Sequence, residues 1–277
     1  MSGPRQPYRP PALLAGSIGL HAAGVLALAA APRHWLTVAG ALVANHVVLG
    51  AASLWPRSRW VGPNLLCLTA EAARRGEVAL TFDDGPDPDV TPRVLDLLDG
   101  AGARATFFCI GRRAEAHPDL TAEIARRGHR VENHTHTHPH LFACYAWTAL
   151  RREVERAQEA LAETAGRRPR LFRAPAGLRN PLLDGVLHQT GLRLVSWTRR
   201  GFDSMGKNPK SIARRLLHGL AAGDILLLHD GSTLRERGGN RQVLEVLPRV
   251  LEALAARNLR SVPIEVGDGS SSSIPCP

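Results

Sequence analysis

The hydrophobic pattern divides the chain into two unlike parts. Positions 11–31 and 35–55 carry no Asp, Glu, Lys or Arg, and each run has about the roughly 20 residues that a bilayer-spanning helix needs. Only Pro32, Arg33 and His34 separate them, so the pair is expected to form a helical hairpin. A cleaved signal peptide ending at Ala29-Ala30-Ala31 is the alternative for the first run, and a soluble amphipathic pair is a third. A signal peptide has no need of the second run, which favours two spans. Past residue 60 the pattern changes. Short apolar runs at 78–82, 105–109, 130–133, 171–172, 192–196, 225–228 and 260–262 alternate with helix-like stretches at 91–99, 118–127, 147–165, 181–190, 209–220 and 242–257. Several of these helices have Pro near the start, where its missing N–H costs nothing. Such alternation predicts a parallel sheet. Seven strands suggest an incomplete barrel, although periodicity alone leaves an open sheet in play. The expected organisation is a hairpin over 1–60, a connector over 61–76, a catalytic domain over 77–266 and a disordered, serine-rich tail over 267–277.

Charge refines this picture. Against 25 Asp and Glu stand 35 Lys and Arg, a net charge of +10 carried almost wholly by arginine. The arginines are scattered and no basic stripe is interleaved with aromatics, so a nucleic-acid partner is not expected. A membrane surface with anionic head groups accounts for the charge more simply. Arg5 and Arg9 precede the first apolar run, Arg57, Arg59, Arg74 and Arg75 follow the second, and Arg33 alone lies between. The positive-inside bias then puts both ends of the hairpin, and the catalytic domain, on the cytoplasmic side of a multi-pass inner-membrane protein. Cys67, Cys109, Cys144 and Cys276 form no Cys-x-x-Cys pair and suggest neither a zinc ribbon nor a disulfide framework.

In a parallel β/α barrel, the residues after each strand build the active site. After the first strand come Asp83 and Asp84, in Thr81-Phe82-Asp83-Asp84-Gly85-Pro86. Adjacent carboxylates repel, and a cation beside one of them resolves the conflict. After the third comes Asn133-His134-Thr135-His136-Thr137-His138-Pro139-His140, after the fourth Arg173-Ala174-Pro175-Ala176-Gly177, after the fifth Trp197 and then Asp203, and after the sixth His229-Asp230-Gly231. Chemically capable side chains thus collect at one end of the expected barrel. His134 and His138, four apart, can face one point and with a carboxylate make a two-His, one-carboxylate set. His136 and His140 leave the choice of histidines open, as does a plain His-rich surface loop.

Taken in order, these segments resemble the five motifs of the polysaccharide deacetylase (NodB-homology) family, carbohydrate esterase family 4, over roughly 77–262. The resemblance implies a distorted (β/α)7 barrel, here preceded by the transmembrane hairpin. It also implies roles. Asp84, His134 and His138 would hold a divalent metal, zinc first, with cobalt, nickel or manganese as alternatives. Asp83 would be the general base and Arg173 its charge-assisted partner. His229 would be the general acid, oriented by Asp203. Ala176 would supply an oxyanion-binding backbone N–H, and Trp197 and Leu226 would line the pocket. The implied activity is hydrolysis of an N-acyl group, acetyl first, from an amino sugar in a polysaccharide or a lipid-linked saccharide. Another amide or ester substrate, or a non-catalytic glycan-binding module, are the alternatives. This chain departs from the pattern where Ala176 replaces an aromatic residue, and where Arg200 and Ser204 replace an Asp and a Trp of the fourth motif. The reacting groups are all present; the wall around them is unusual.

Overall fold

A computed structural model describes residues 7–205, 208–231 and 242–265; the tail expected over 267–277 lies outside them. Two long helices come first, α1 (Ala12–Ala30) and α2 (Trp35–Leu54), joined by a single 3-10 turn at Pro32–His34. Both are long and apolar enough to cross a membrane. Each is an unbroken helix that satisfies its own backbone polar groups, as a segment crossing lipid would have to. They pack closely at Gly24, whose Cα faces Val38, and share a hydrogen bond from Asn45 Nδ2 to Ser17 Oγ of 2.8 Å.

After α3 (Ala70–Arg74) the chain runs β1 (Glu77–Asp83), α4 (Thr91–Gly100), β2 (Ala105–Cys109), α5 (Gly111–Ala116), α6 (Pro118–Arg126) and β3 (Arg130–Asn133). It continues through α7 (Trp147–Ala165), β4 (Leu171–Phe172), α8 (Leu183–Thr190), β5 (Arg193–Leu194), β6 (Arg199–Arg200), α9 (Pro209–Leu217), β7 (Ile225–His229), α10 (Gln242–Ala256) and β8 (Arg260–Ser261). The strands pair in the order β5-β4-β3-β2-β1-β7-β6, all parallel, with β8 also on β1. Helices cover the outside, and the sheet curls into the distorted barrel that the alternation and the motifs imply. The sequence pattern misses only α3, α5 and the two-residue β6, which are too short to show a period.

The residues expected to act as a connector take part in the barrel. Leu65 forms a parallel bridge with Val195 and Cys67 an antiparallel one with Asp224, so this stretch lies across the seam between β5 and β7. Cys67 is disulfide-bonded, while Cys109 and Cys144 are free thiols.

Strand pleating decides which residues reach the interior. In β1, Val78, Leu80 and Phe82 pack outward under the helices with Leu226 and Leu228 of β7. Ala79 faces inward with Ile225 and Leu227. The period of two then carries Asp83 and His229 to the inside at the carboxyl ends of their strands. Side by side in the register, they stand at the mouth of the barrel.

Candidate active site

Asp84 is the first residue past β1 and turns the chain with φ 72°. Its Oδ1 lies 3.3 Å from Nε2 of His134 and 3.2 Å from Nε2 of His138. That oxygen is buried and accepts no well-aligned hydrogen bond, and the three donor atoms lie within 4.8 Å of one another. Tetrahedral bonds of about 2.0–2.1 Å to one ion place donors about 3.3 Å apart, so the spacing and the N,N,O chemistry fit a divalent cation. His134 Nδ1 lies 2.8 Å from the carbonyl oxygen of Arg173, which fixes the tautomer that leaves Nε2 for a metal. Burial disfavours the charged form of Asp84, yet His134, His229 and His138 hold its carboxyl well below the usual carboxylate range.

The two histidines meet because their loop is not helical. Thr135 and His138 adopt positive φ, 66° and 54°. Thr135 Oγ1 accepts from His138 N at 3.1 Å, and Asn133 Oδ1 from Thr135 N at 2.9 Å. Glu153 of α7 accepts from both Thr137 N and Thr137 Oγ1, at 2.9 and 3.0 Å. His136 turns the other way, buried against Gly111 with Nε2 3.7 Å from Glu115. His140 is exposed. The competition among four histidines thus resolves to His134 and His138.

On one side of the triad stands Asp83. Arg173, wholly buried, donates through Nη1 to Asp83 Oδ1 at 2.7 Å and to Thr81 Oγ1 at 2.8 Å. Its guanidinium carbon sits 4.0 Å over the Phe108 ring, and Nη2 donates to the Ser196 carbonyl at 3.2 Å. An arginine so enclosed needs these partners to remain charged. On the other side, His229 Nδ1 lies 2.9 Å from Asp203 Oδ1, and the backbone N–H of His229 donates to Asp203 Oδ2 at 2.8 Å. Burial pulls the imidazole down, but Asp203, Asp83 and Asp84 overcome it and push the pKa up to about 9. The Asp203 contact thus favours the protonated imidazole, the form with a proton to give.

These groups open into a cavity of about 130 Å3, walled by Ala176, Gly177, Trp197, Arg200, Ser204 and Leu227. Leu226 does not reach it. It packs outward beneath the helices, and its neighbour Leu227 takes the inward place. A larger cavity of about 1200 Å3, lined by Tyr8, Arg59, Trp60, Leu65, His188 and Leu194 among others, holds none of the reacting groups.

The end of α2 abuts this wall. Leu49 and Ala52 bury against Val61, Arg179 N donates to the Ser53 carbonyl at 3.4 Å, and Ser196 Oγ donates to the Pro56 carbonyl at 2.7 Å. Gly177 has φ 74°, and a Cβ there would lie 2.5 Å from Trp197 Cη2 and 2.8 Å from Pro56 Cβ. Only glycine lets loop, indole and helix exit meet.

Sequence reasoning also missed the supports. Arg113 Nη1 donates to the carbonyl oxygens of Asp84 and Gly231, at 2.9 and 2.7 Å, tying the loops after β1 and β7 together. Asp230, buried behind the Gly85 turn, accepts from Thr91 Oγ1 at 2.6 Å. Burial pushes its carboxyl up to about 7. Arg113 and Thr91 lie in helices far along the chain from their partners, so no local pattern marks them.

An arginine-bound carboxylate, an aspartate-bound histidine and a donor triad between them are the groups that a barrel hydrolase of amide-type carbon–nitrogen bonds requires. Comparison with known proteins agrees. The family model "Polysaccharide deacetylase" matches residues 70–195. The chain is 35% identical over 210 residues to a chitooligosaccharide deacetylase of Azorhizobium caulinodans, covering 72% of this chain and 100% of the relative. It is 34% identical over 192 residues to a peptidoglycan-N-acetylglucosamine deacetylase of Bacillus cereus, covering 68% and 85%. A family 4 carbohydrate esterase from Streptomyces lividans, solved with acetate, superposes with a TM-score of 0.62 at 33% identity, covering 69% of this chain and 93% of that one. The chain belongs to the polysaccharide deacetylase (NodB-homology) family, carbohydrate esterase family 4.

Proposed function

We propose that this protein is a membrane-anchored, divalent-metal-dependent hydrolase that removes an N-acyl group, acetyl first, from an amino sugar in a polysaccharide or lipid-linked saccharide. The observation that carries this reading is the convergence on one small cavity of the Asp84–His134–His138 donors, the Arg173-bound Asp83 and the Asp203-bound His229. Relatives named as deacetylases of chitooligosaccharides and of peptidoglycan support the amino-sugar substrate.

An amide is a poor electrophile and an amine a poor leaving group, so both ends of the bond need help. A divalent cation held by Asp84, His134 and His138, zinc suiting the donor set best, would polarise the acyl carbonyl and acidify water. Arg173 occupies Oδ1 of Asp83, which leaves Oδ2 to take the proton of the attacking water. The backbone N–H of Ala176, a residue of the cavity lining, would donate to the developing oxyanion. His229, held by Asp203 through Nδ1, gives the Nε2 proton to the departing amine. Trp197 and Leu227 keep the acyl group out of bulk water.

The test uses full-length protein stripped by chelator and reloaded with Zn2+ or Co2+, with N-acetylglucosamine oligomers as substrate and released acetate and new primary amine measured together. Equimolar products that disappear on chelation and return with metal support the reading. Acetate released without amine from an O-acetylated N-acetylglucosamine oligomer would make it an ester hydrolase. Metal bound with no product from any acylated glycan would leave a binding module.

The anchor is read from the hairpin and its docking on the pocket wall, which set the catalytic cavity beside the helix exit. The arginine count supports a cytoplasmic catalytic domain. The disulfide at Cys67 favours the opposite placement, with the catalytic domain outside the cytoplasm in an oxidising compartment. Carboxyl-terminal fusions decide between them: fluorescent-protein signal without alkaline-phosphatase activity supports the inside, and the reverse supports the outside.

A further inference from the structure

Arg200 is a charged wall residue whose chemistry the hydrolysis does not use. It stands in β6 opposite Leu227 in the register, and both side chains line the catalytic cavity. Its guanidinium carbon lies 5.2 Å over the Trp197 ring and 4.8 Å over the Phe202 ring. Two aromatic faces fix the plane of the fork at little entropic cost. Its Nε is buried and finds no hydrogen-bond partner among the described residues. The nearby carboxylates are already committed: Asp83 to Arg173, and Asp203 to His229. Burial draws the Arg200 pKa down while Asp83 and Asp203 draw it up, and it stays far above neutrality as guanidinium groups do. A half-buried, oriented cation with an unused donor beside a reaction centre is costly unless a ligand completes it. Ser204, also in the wall, adds a hydroxyl.

The geometry points to Arg200 as a specificity residue that reads an anionic group on the substrate, close to the amide. This rests on the amino-sugar deacylase reading and deepens it. The cavity of about 130 Å3 has room for an acyl group and the atoms beside the amide, so a group that Arg200 reaches from its wall lies close to that bond. The anion therefore sits on a carbon adjacent to the amide-bearing one. On a hexosamine acylated at carbon 2, those are carbon 1, which can carry a phosphate, and carbon 3, which can carry a carboxyalkyl ether. Both present planar-matched oxygens to the guanidinium fork. A sugar phosphate on a lipid carrier and a carboxylated wall glycan are the two sources of this one chemistry.

The experiment compares three substrates sharing the same acetamide: an uncharged N-acetylglucosamine oligomer, N-acetylglucosamine 1-phosphate, and a glycan containing N-acetylmuramic acid. The readout is the ratio of kcat/KM, anionic to uncharged, in the metal-loaded wild type, Arg200→Lys and Arg200→Gln. Wild type is expected to favour one anionic substrate by about tenfold or more, the scale of a charge-assisted hydrogen bond. Arg200→Gln should collapse that ratio towards one, and Arg200→Lys should keep part of it. Preference for the phosphate identifies the first source, and preference for the carboxylate the second. A wild-type ratio near one, or a ratio that Arg200→Gln leaves intact, overturns the proposal. Calorimetric titration with N-acetylglucosamine 1-phosphate and free N-acetylmuramic acid reads the same contact without turnover. Should no substrate be hydrolysed, the deacylase reading falls. Binding lost in Arg200→Gln would still support the anion contact, and binding unchanged would overturn it.

Discussion

The floor and the wall of the catalytic cavity are built on opposite rules. On the floor nearly every polar group is committed. Asp83 holds Arg173, Asp203 holds His229 at two points, and His134 is oriented by the Arg173 carbonyl. Asp84 Oδ1, which lacks a hydrogen bond, is the atom the donor triad would give to a metal. The wall is made of loop backbone at positive φ, an indole, an arginine whose Nε finds no hydrogen-bond partner among the described residues, and the exit of an apolar helix. A buried network tolerates no vacancy, because each orphaned partner pays full desolvation. A wall can change its side chains while the reaction survives. The reaction is thus set by the floor, and the wall is where the sequence departs from the motifs it resembles.

The sharpest way to break that contrast is to alter the floor without changing its shape. Asp83→Asn should lower kcat by roughly 10^2–10^4-fold, the span of a lost general base, while bound metal stays near one per chain. Elemental analysis of the purified variant beside its rate checks this, and activity within tenfold of wild type would remove Asp83 from the role. Asp203→Asn should act less strongly but leave a signature in pH. His229 must be protonated to donate, so activity falls as pH rises through its pKa, pushed up to about 9. Without the Asp203 carboxylate that pKa drops, and the alkaline limb of the kcat/KM profile should move to lower pH. A limb that stays in place would assign it to another group.

On the wall, Gly177→Ala puts a methyl into Trp197 and Pro56 at a positive φ. The expected cost is about 1–3 kcal/mol of stability, with KM raised more than kcat is lowered. Thermal unfolding and steady-state kinetics read both, and an unchanged melting temperature would mean that the helix exit is not seated on this loop. The smallest effect belongs to His140→Ala. Its ring is exposed and its centroid lies 6.4 Å from that of His138, so metal content and rate should stay within about twofold. Loss of metal there would reopen the choice among the four histidines.

Much of the floor was legible because it sits at strand ends. Val78 to Phe82 reads as a strand, so Asp83 and Asp84 fall at its carboxyl end, and the same holds for Asn133, Phe172 and Leu228. The wall was legible only as a set of departures. Trp197, Arg200 and Ser204 could be aligned with a motif, but their stacking and the lone Nε of Arg200 are products of packing. Leu226 against Leu227 shows the limit well. Two adjacent leucines in a run of apolar residues give no sign of which one faces inward, because a strand buried on both faces loses its alternation.

The sequence by itself determined the two apolar helices, the β/α alternation and the order of the candidate site residues, since each is written in a local period or at a local boundary. Only the tertiary structure decided that His134 and His138 rather than His136 meet Asp84, that Arg113 clamps two loops, that residues 64–68 lie across the barrel seam, and that α2 ends against the active-site wall. Each of these joins residues that no helical or strand period links, through backbone turns at positive φ or through contacts between distant elements. Local propensity does not encode such contacts. They exist because closing the barrel brings together chain ends whose polar groups must then find partners.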